Sequence, residues 1–144
     1  MNKSTFLRFE NYLVENLKFT VNYDFDKESK NRIIPELAFG LIKSRDDSKK
    51  FNVIIGFSYN KENNQPFLLE GMLRGFFTIG EDGSEEILLN AFAILFPYVR
   101  SLITEISRYS SIIPIIIPTV NITKAIEDLN SIKIDSSNYR EPLW

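Results

Sequence analysis

From Glu85 to Asn130 the chain reads EEILLNAFAILFPYVRSLITEISRYSSIIPIIIPTVNITKAIEDLN, and this stretch limits the fold more than any other. It holds a long apolar helix, an isoleucine strip punctuated by prolines, and a short second helix. Leu88, Phe92, Leu95, Val99, Leu102 and Ile106 recur at spacings of three and four, which is one helical stripe. Leu89, Ala93, Phe96 and Ile103 form a second stripe beside it. A surface helix needs an apolar arc of roughly 100°. The arc here is wider, so cover is expected on more than one side. Two arrangements supply it: a central core helix in a monomer, or a helix that packs on its own sheet and also meets a partner subunit. In the second case Phe92, Leu95, Phe96, Val99, Leu102 and Ile106 are the interface candidates.

Upstream, the pattern changes from a helical period to alternation. Leu17, Phe19, Val21, Tyr23 and Phe25 alternate with Lys18, Thr20, Asn22 and Asp24, as in a half-buried strand. Before it, Phe6, Phe9 and Leu13 are apolar, but their spacing does not separate helix from strand. Residues 33–43 form a second expected strand, with Pro35 near an edge or entry point. Residues 51–59 form a third. Residues 67–79 form a fourth, interrupted by Gly71 and Gly75, which suggest a bulge or a close backbone approach. Polar turns at 44–49 and 60–66 make hairpins of strands two and three and of strands three and four. The charged link before the second strand is long enough for a crossover. Four strands before two helices predict an α+β fold: a four-stranded antiparallel sheet with a long and a short helix on one face. A single domain over 1–144, with a polar tail from about residue 131, completes the expected organisation.

The long helix opens at Ser84, a suitable N-cap, with Glu85 and Glu86 in its positive first turn. Pro97 inside it removes one ladder hydrogen bond and predicts a local kink. Pro114 and Pro118 forbid a helix between them, so the strip 112–118 is extended. Asn121 suits the N-cap of the short helix, which Ile122, Ile126 and Leu129 line on one face.

Several chemistries are excluded or disfavoured by composition. The 144 residues include no cysteine and no histidine, which removes thiolate metal sites, disulfides and every His-dependent triad. A net charge of −2 lacks the basic excess of a nucleic-acid surface. No uninterrupted run of about 18 apolar residues is present to span a bilayer, and the first residues lack a signal pattern. A soluble cytoplasmic protein without membrane insertion is the expectation. The acidic pairs Asp46–Asp47, Glu81–Asp82 and Glu85–Glu86 have sufficient structural explanations in turns and at a helix start. No catalytic, metal or cofactor residues are therefore assigned, and an enzyme is not expected.

The segment Ile94-Leu95-Phe96-Pro97-Tyr98-Val99-Arg100, followed by Ile103-Thr104 and by Pro118-Thr119-Val120-Asn121, resembles the signature of the SecB family of export chaperones. There an ILFPYAR-type helix leads, through a loop and an extended strip, to a PVN-type start of a second helix. Phe67-Leu68-Leu69-Glu70 and Gly75-Phe76-Phe77-Thr78-Ile79 are similar to that family's last strand. The resemblance implies a SecB-like sheet and helices assembling as a dimer of dimers, a homotetramer with the long helices sandwiched between sheets. It also implies ATP-independent holding of non-native proteins or preproteins in apolar grooves, and handover to the SecA motor. Docking to SecA uses acidic residues on the family's sheet. The matching run here, Asn16-Leu17-Lys18-Phe19-Thr20, lacks both carboxylates, while Glu70 keeps an acidic position in the last strand. The family's acidic tail is replaced by residues 135–144.

Groove candidates are Phe25, Ile113, Ile115, Ile117 and Ile126. For the isoleucine strip, groove and ordinary core are both open readings. Three functions follow in order: a general SecB-like holdase, a dedicated chaperone of one client such as an antitoxin, and a small apolar-ligand carrier.

Overall fold

The computed structural model describes residues 6–24, 36–59, 67–80, 85–109 and 136–143. The described elements are β1 (Leu7–Val21), β2 (Glu36–Lys43), β3 (Lys50–Tyr59), β4 (Phe67–Ile79), α1 (Glu85–Tyr109) and a 3-10 turn at Ser136–Asn138. The strands form one sheet in the order β1-β4-β3-β2. Every neighbouring pair is antiparallel. Thus β2–β3 and β3–β4 are the expected hairpins, and the chain crosses the sheet between β1 and β2. An α+β fold with one main helix is the result.

β1 begins at Leu7, well before the expected alternation from Leu17, and ends at Val21, with Tyr23 and Asp24 in a turn rather than in the strand; two interruptions hide its first half. Its register against β4 shifts between Phe9 and Asn11, and again between Val14 and Asn16. Each extra residue reverses the parity of the strand. Leu7 and Phe9, then Tyr12 and Val14, then Leu17, Phe19 and Val21 therefore all lie opposite the odd-numbered, helix-side residues of β4. Strict alternation could not have shown this. The extra residues are in β1, one register pair from Gly75 and from Gly71 of β4. Those glycines serve close approach instead: a Cβ on Gly71 would lie 2.6 Å from the Phe57 ring, and one on Gly75 3.3 Å from Leu95.

The core sits between α1 and one face of the sheet. Phe51, Val53, Ile55, Phe57 and Tyr59 of β3 and Phe67, Leu69, Leu73 and Phe77 of β4 pack with Leu88, Ala91, Phe92, Leu95, Phe96, Val99 and Ile103 of α1. Phe39 meets Phe92 edge-on, with ring centroids 5.7 Å apart. Phe51 stacks on Phe77 at 5.5 Å. Length and composition alone would let Ile87–Tyr109 cross a bilayer, a property that the polar interruptions had hidden. Its apolar stripe lies against the sheet instead, as expected of a core helix. Pro97 and Ala93 are both exposed, and the helix continues through them. The missing Pro97 amide would have bonded the Ala93 carbonyl, and both residues lie on the exposed side of the helix, where such a break costs least.

The opposite, outer face carries polar residues and the C-terminal segment. Ile42, Asn52 and Phe76 stand in register across β2, β3 and β4. All three are buried, together with Arg74 one row along. Asn52 Nδ2 donates to the Arg140 carbonyl at 3.1 Å, and the Arg140 amide donates back to Asn52 Oδ1 at 2.8 Å. Arg74 Nη1 donates to Asn52 Oδ1 at 2.6 Å and to the Asn138 carbonyl at 3.1 Å. Its Nε binds Glu15, the extra residue at the second bulge. The polar tail is thus seated on the sheet over 136–143.

Candidate client-binding surface

On the helix side, cover is uneven along β1. Near its start, Phe9 and Tyr12 lie under Tyr98 of α1, with centroid separations of 5.5 and 4.6 Å. Further along the same row, Val14, Leu17 and Val21 are 40%, 39% and 42% exposed. Among the described residues only β4 flanks β1, and its other edge has no partner strand among them. An exposed apolar row beside an unpaired strand edge can take an extended segment, through main-chain bonds on the edge and side-chain burial on the row. No titratable group is needed for such binding.

Of the interface candidates, Phe92, Leu95, Phe96 and Val99 are buried in the chain's own core. The sheet covers them, so they are not free to face a second copy in this arrangement. Leu102 and Ile106 are half-buried and flank the core. The second stripe divides likewise: Phe96 and Ile103 are buried, Leu89 is half-buried and Ala93 is exposed. Phe39 reaches the helix from β2, where it meets Phe92.

Glu70 projects from the outer face. It stands between Lys18 of β1 and Ser58 of β3 by register, beside a recess of about 340 Å³ that Asn16, Glu36 and Met72 also line. Lys18 opposite Glu70 offsets one of the two carboxylates, Glu36 and Glu70, beside this recess. Asp46 and Asp47 are explained by their turn: both amides donate to Ser44 Oγ, and Asp47 Oδ1 accepts from the Lys49 amide. Phe25, Ile113, Ile115, Ile117 and Ile126 lie outside the described residues. So do the strip 112–118, the helix expected from Asn121, and Ser84. Among the described residues, no group of three or more His, Cys, Asp or Glu side chains is placed to hold a metal.

The comparisons agree with this geometry at the level of fold. The Mycobacterium tuberculosis Rv1957 SecB-like chaperone, solved in complex with a ChAD peptide from the Rv1956 HigA1 antitoxin, superposes with a TM-score of 0.63 over 79% of this chain and 90% of that one. The fold is SecB-like. Sequence identity in that superposition is 14%. A Streptococcus agalactiae protein of unknown function gives a TM-score of 0.48 at 15% identity, over 81% of this chain and 99% of that one. No protein-family model matches the chain. By sequence it is 28% identical over 142 residues to the uncharacterized protein MJ0357 of Methanocaldococcus jannaschii, covering 94% of this chain and 92% of that protein.

Sequence reasoning missed both surfaces. The open row on β1 depends on two bulges, whose sites a one-residue parity change leaves without a fixed residue signature. The outer network joins Asn52, Arg74 and the tail across 88 and 64 residues, and no local pattern signals such pairs.

Proposed function

We propose that the protein is a SecB-like, ATP-independent holdase that binds extended apolar segments of non-native proteins. The observation that carries this reading is the exposed row Val14, Leu17 and Val21 along an unpaired strand edge, in a fold shared with a peptide-binding SecB-like chaperone. Burial of apolar area supplies about 25 cal/mol per Å² before association costs. One site binds weakly and with little sequence preference. Several sites filled by one flexible chain gain avidity through effective concentration. A homotetramer built as a dimer of dimers belongs to the same proposal, with Leu102 and Ile106, half-buried beside the core, as the candidates still available for it. A client that is one dedicated protein, such as an antitoxin, is favoured over export through SecA. The Rv1957 complex holds an antitoxin peptide, and here Lys18 opposes Glu70 on the face where docking to the motor would need acid.

The test uses a denatured client and the double variant Val14→Ser, Leu17→Ser. Both residues are exposed, so the fold should persist. The wild type should suppress client aggregation equally with and without ATP, and the variant should do so much less. Light scattering should give four times the 16.7 kDa chain mass. A variant that protects clients as well as wild type does would sink the assignment of the row.

A further inference from the structure

The outer face holds a second small core that owes nothing to α1, and a short piece of backbone closes it. All three hydrogen bonds from Asn52 and Arg74 to the tail end on main-chain atoms: the Asn138 carbonyl, the Arg140 amide and the Arg140 carbonyl. Asn52 meets Arg140 reciprocally, as a neighbouring strand residue would. A site of this kind recognises extended polypeptide rather than one side chain. Between the bonded residues, Tyr139, with Glu141 and Pro142, forms one wall of a half-open recess of about 420 Å³, facing Glu10, Lys50, Phe76 and Thr78 of the sheet. Burial, and then the adjacent Glu141 carboxylate, push the Tyr139 phenol up to about 12, so it remains a neutral hydroxyl at physiological pH.

The receiving groups are fixed before any ligand arrives. Glu15 holds the Arg74 guanidinium, Arg74 holds Asn52 Oδ1, and all three belong to the sheet. The tail is held more lightly. Its Lys50–Glu141 pair spans 3.7 Å between exposed side chains, where ion pairs contribute little.

We propose that Asn52 and Arg74 form a peptide-binding site on the outer face, and that residues 136–143 of the same chain are its tethered ligand, closing the face to extended segments of other proteins until the tail leaves. The site lies opposite the helix side, so it stands or falls independently of the client reading above.

The test uses the full chain carrying Arg140→Pro, which removes the amide that donates to Asn52 and alters no sheet residue. The probe is a fluorescently labelled peptide of residues 135–144, followed by anisotropy. A tethered segment has an effective concentration on the order of millimolar, so the peptide should bind the variant at least about tenfold more tightly than wild type. In the variant, amides 136–143 should exchange freely with solvent. Equal affinity for the two proteins would place the peptide elsewhere, for example on the helix-side row, and would overturn the proposal. So would failure to bind a variant whose tail is released, or a tail that stays protected in the variant. A second measurement needs no variant: excess unlabelled peptide should accelerate amide exchange at Tyr139 and Arg140 of the wild type. Unchanged exchange at saturating peptide refutes the proposal. Protection at Arg140 that falls on dilution would also refute it, since the tail would then come from a neighbouring copy.

Discussion

The two faces of the sheet use alternate residues of the same strands but are closed by different physics. On the helix side, Phe51, Leu73, Phe77 and their neighbours meet α1 through apolar area, and many contacts share the load. On the outer side, Asn52 and Arg74 hold a short segment through a few directional bonds. Apolar burial is non-directional and survives small displacements; a hydrogen-bonded network is satisfied or not. The helix side should therefore set global stability, and the outer side should open locally without unfolding the rest.

The most severe way to break this comparison is to empty the helix side. Phe92 is buried and touches Phe39 edge-on. Phe92→Ala should cost about 3–5 kcal/mol of unfolding free energy, as large core truncations do. Urea denaturation followed by circular dichroism reads it. Protection of the tail amides should fall only as far as global stability falls. A loss below about 1 kcal/mol would show that α1 is not the main clamp on the sheet.

The sheet was legible in the sequence where every second residue is apolar without interruption. In residues 51–59 every odd position is apolar, while Ile54 is the one large apolar residue among the outward ones, and β3 forms there as expected. β1 was half legible: from Leu17 the alternation is clean, while before it two bulges scramble parity, so Phe9, Tyr12 and Val14 look aperiodic although they share a face. The interface assignment shows a different limit. Periodicity reports that Phe92, Leu95 and Val99 are buried, but not whether sheet or subunit buries them. Arg74 between Leu73 and Gly75 could be read as a solvated outward position. Its burial depends on a tail more than 60 residues away, as the Asn138 contact shows.

A milder change sharpens the comparison from the outer side. Arg74→Met removes the guanidinium that binds Glu15, Asn52 and the Asn138 carbonyl together. Breaking a fully buried charge pair typically costs about 3–5 kcal/mol. Glu15 is partly exposed and can be rehydrated, so a loss of about 2 kcal/mol is expected, within the range for unsatisfied polar groups. The distinguishing signature is local. Amide exchange at Arg140 should accelerate far more than exchange in β3 or α1. Uniform acceleration across all elements would mean that the two faces are one cooperative unit.

The smallest effect concerns a buried polar group on the helix side. Tyr59 is buried beside Phe67, with ring centroids 5.9 Å apart, and its hydroxyl has no hydrogen-bond partner among the described residues. If the helix side is closed by apolar area alone, that hydroxyl is a defect, and Tyr59→Phe should raise stability by about 1 kcal/mol at neutral pH. The pH dependence checks the same point. Burial raises the Tyr59 phenol above its ordinary value near 10. Above pH 10 the unfolded chain ionises at this residue before the folded one does. Tyr59 therefore disfavours unfolding less and less as pH climbs past 10, a loss absent below that pH. Phenylalanine has no proton to lose, so the advantage of the variant should widen between pH 10 and 11. The measurement is urea unfolding of both proteins at pH 7, 10 and 11. A Tyr59→Phe protein less stable than wild type at pH 7 would mean that the hydroxyl has a polar partner, and that the helix side is not closed by apolar burial alone.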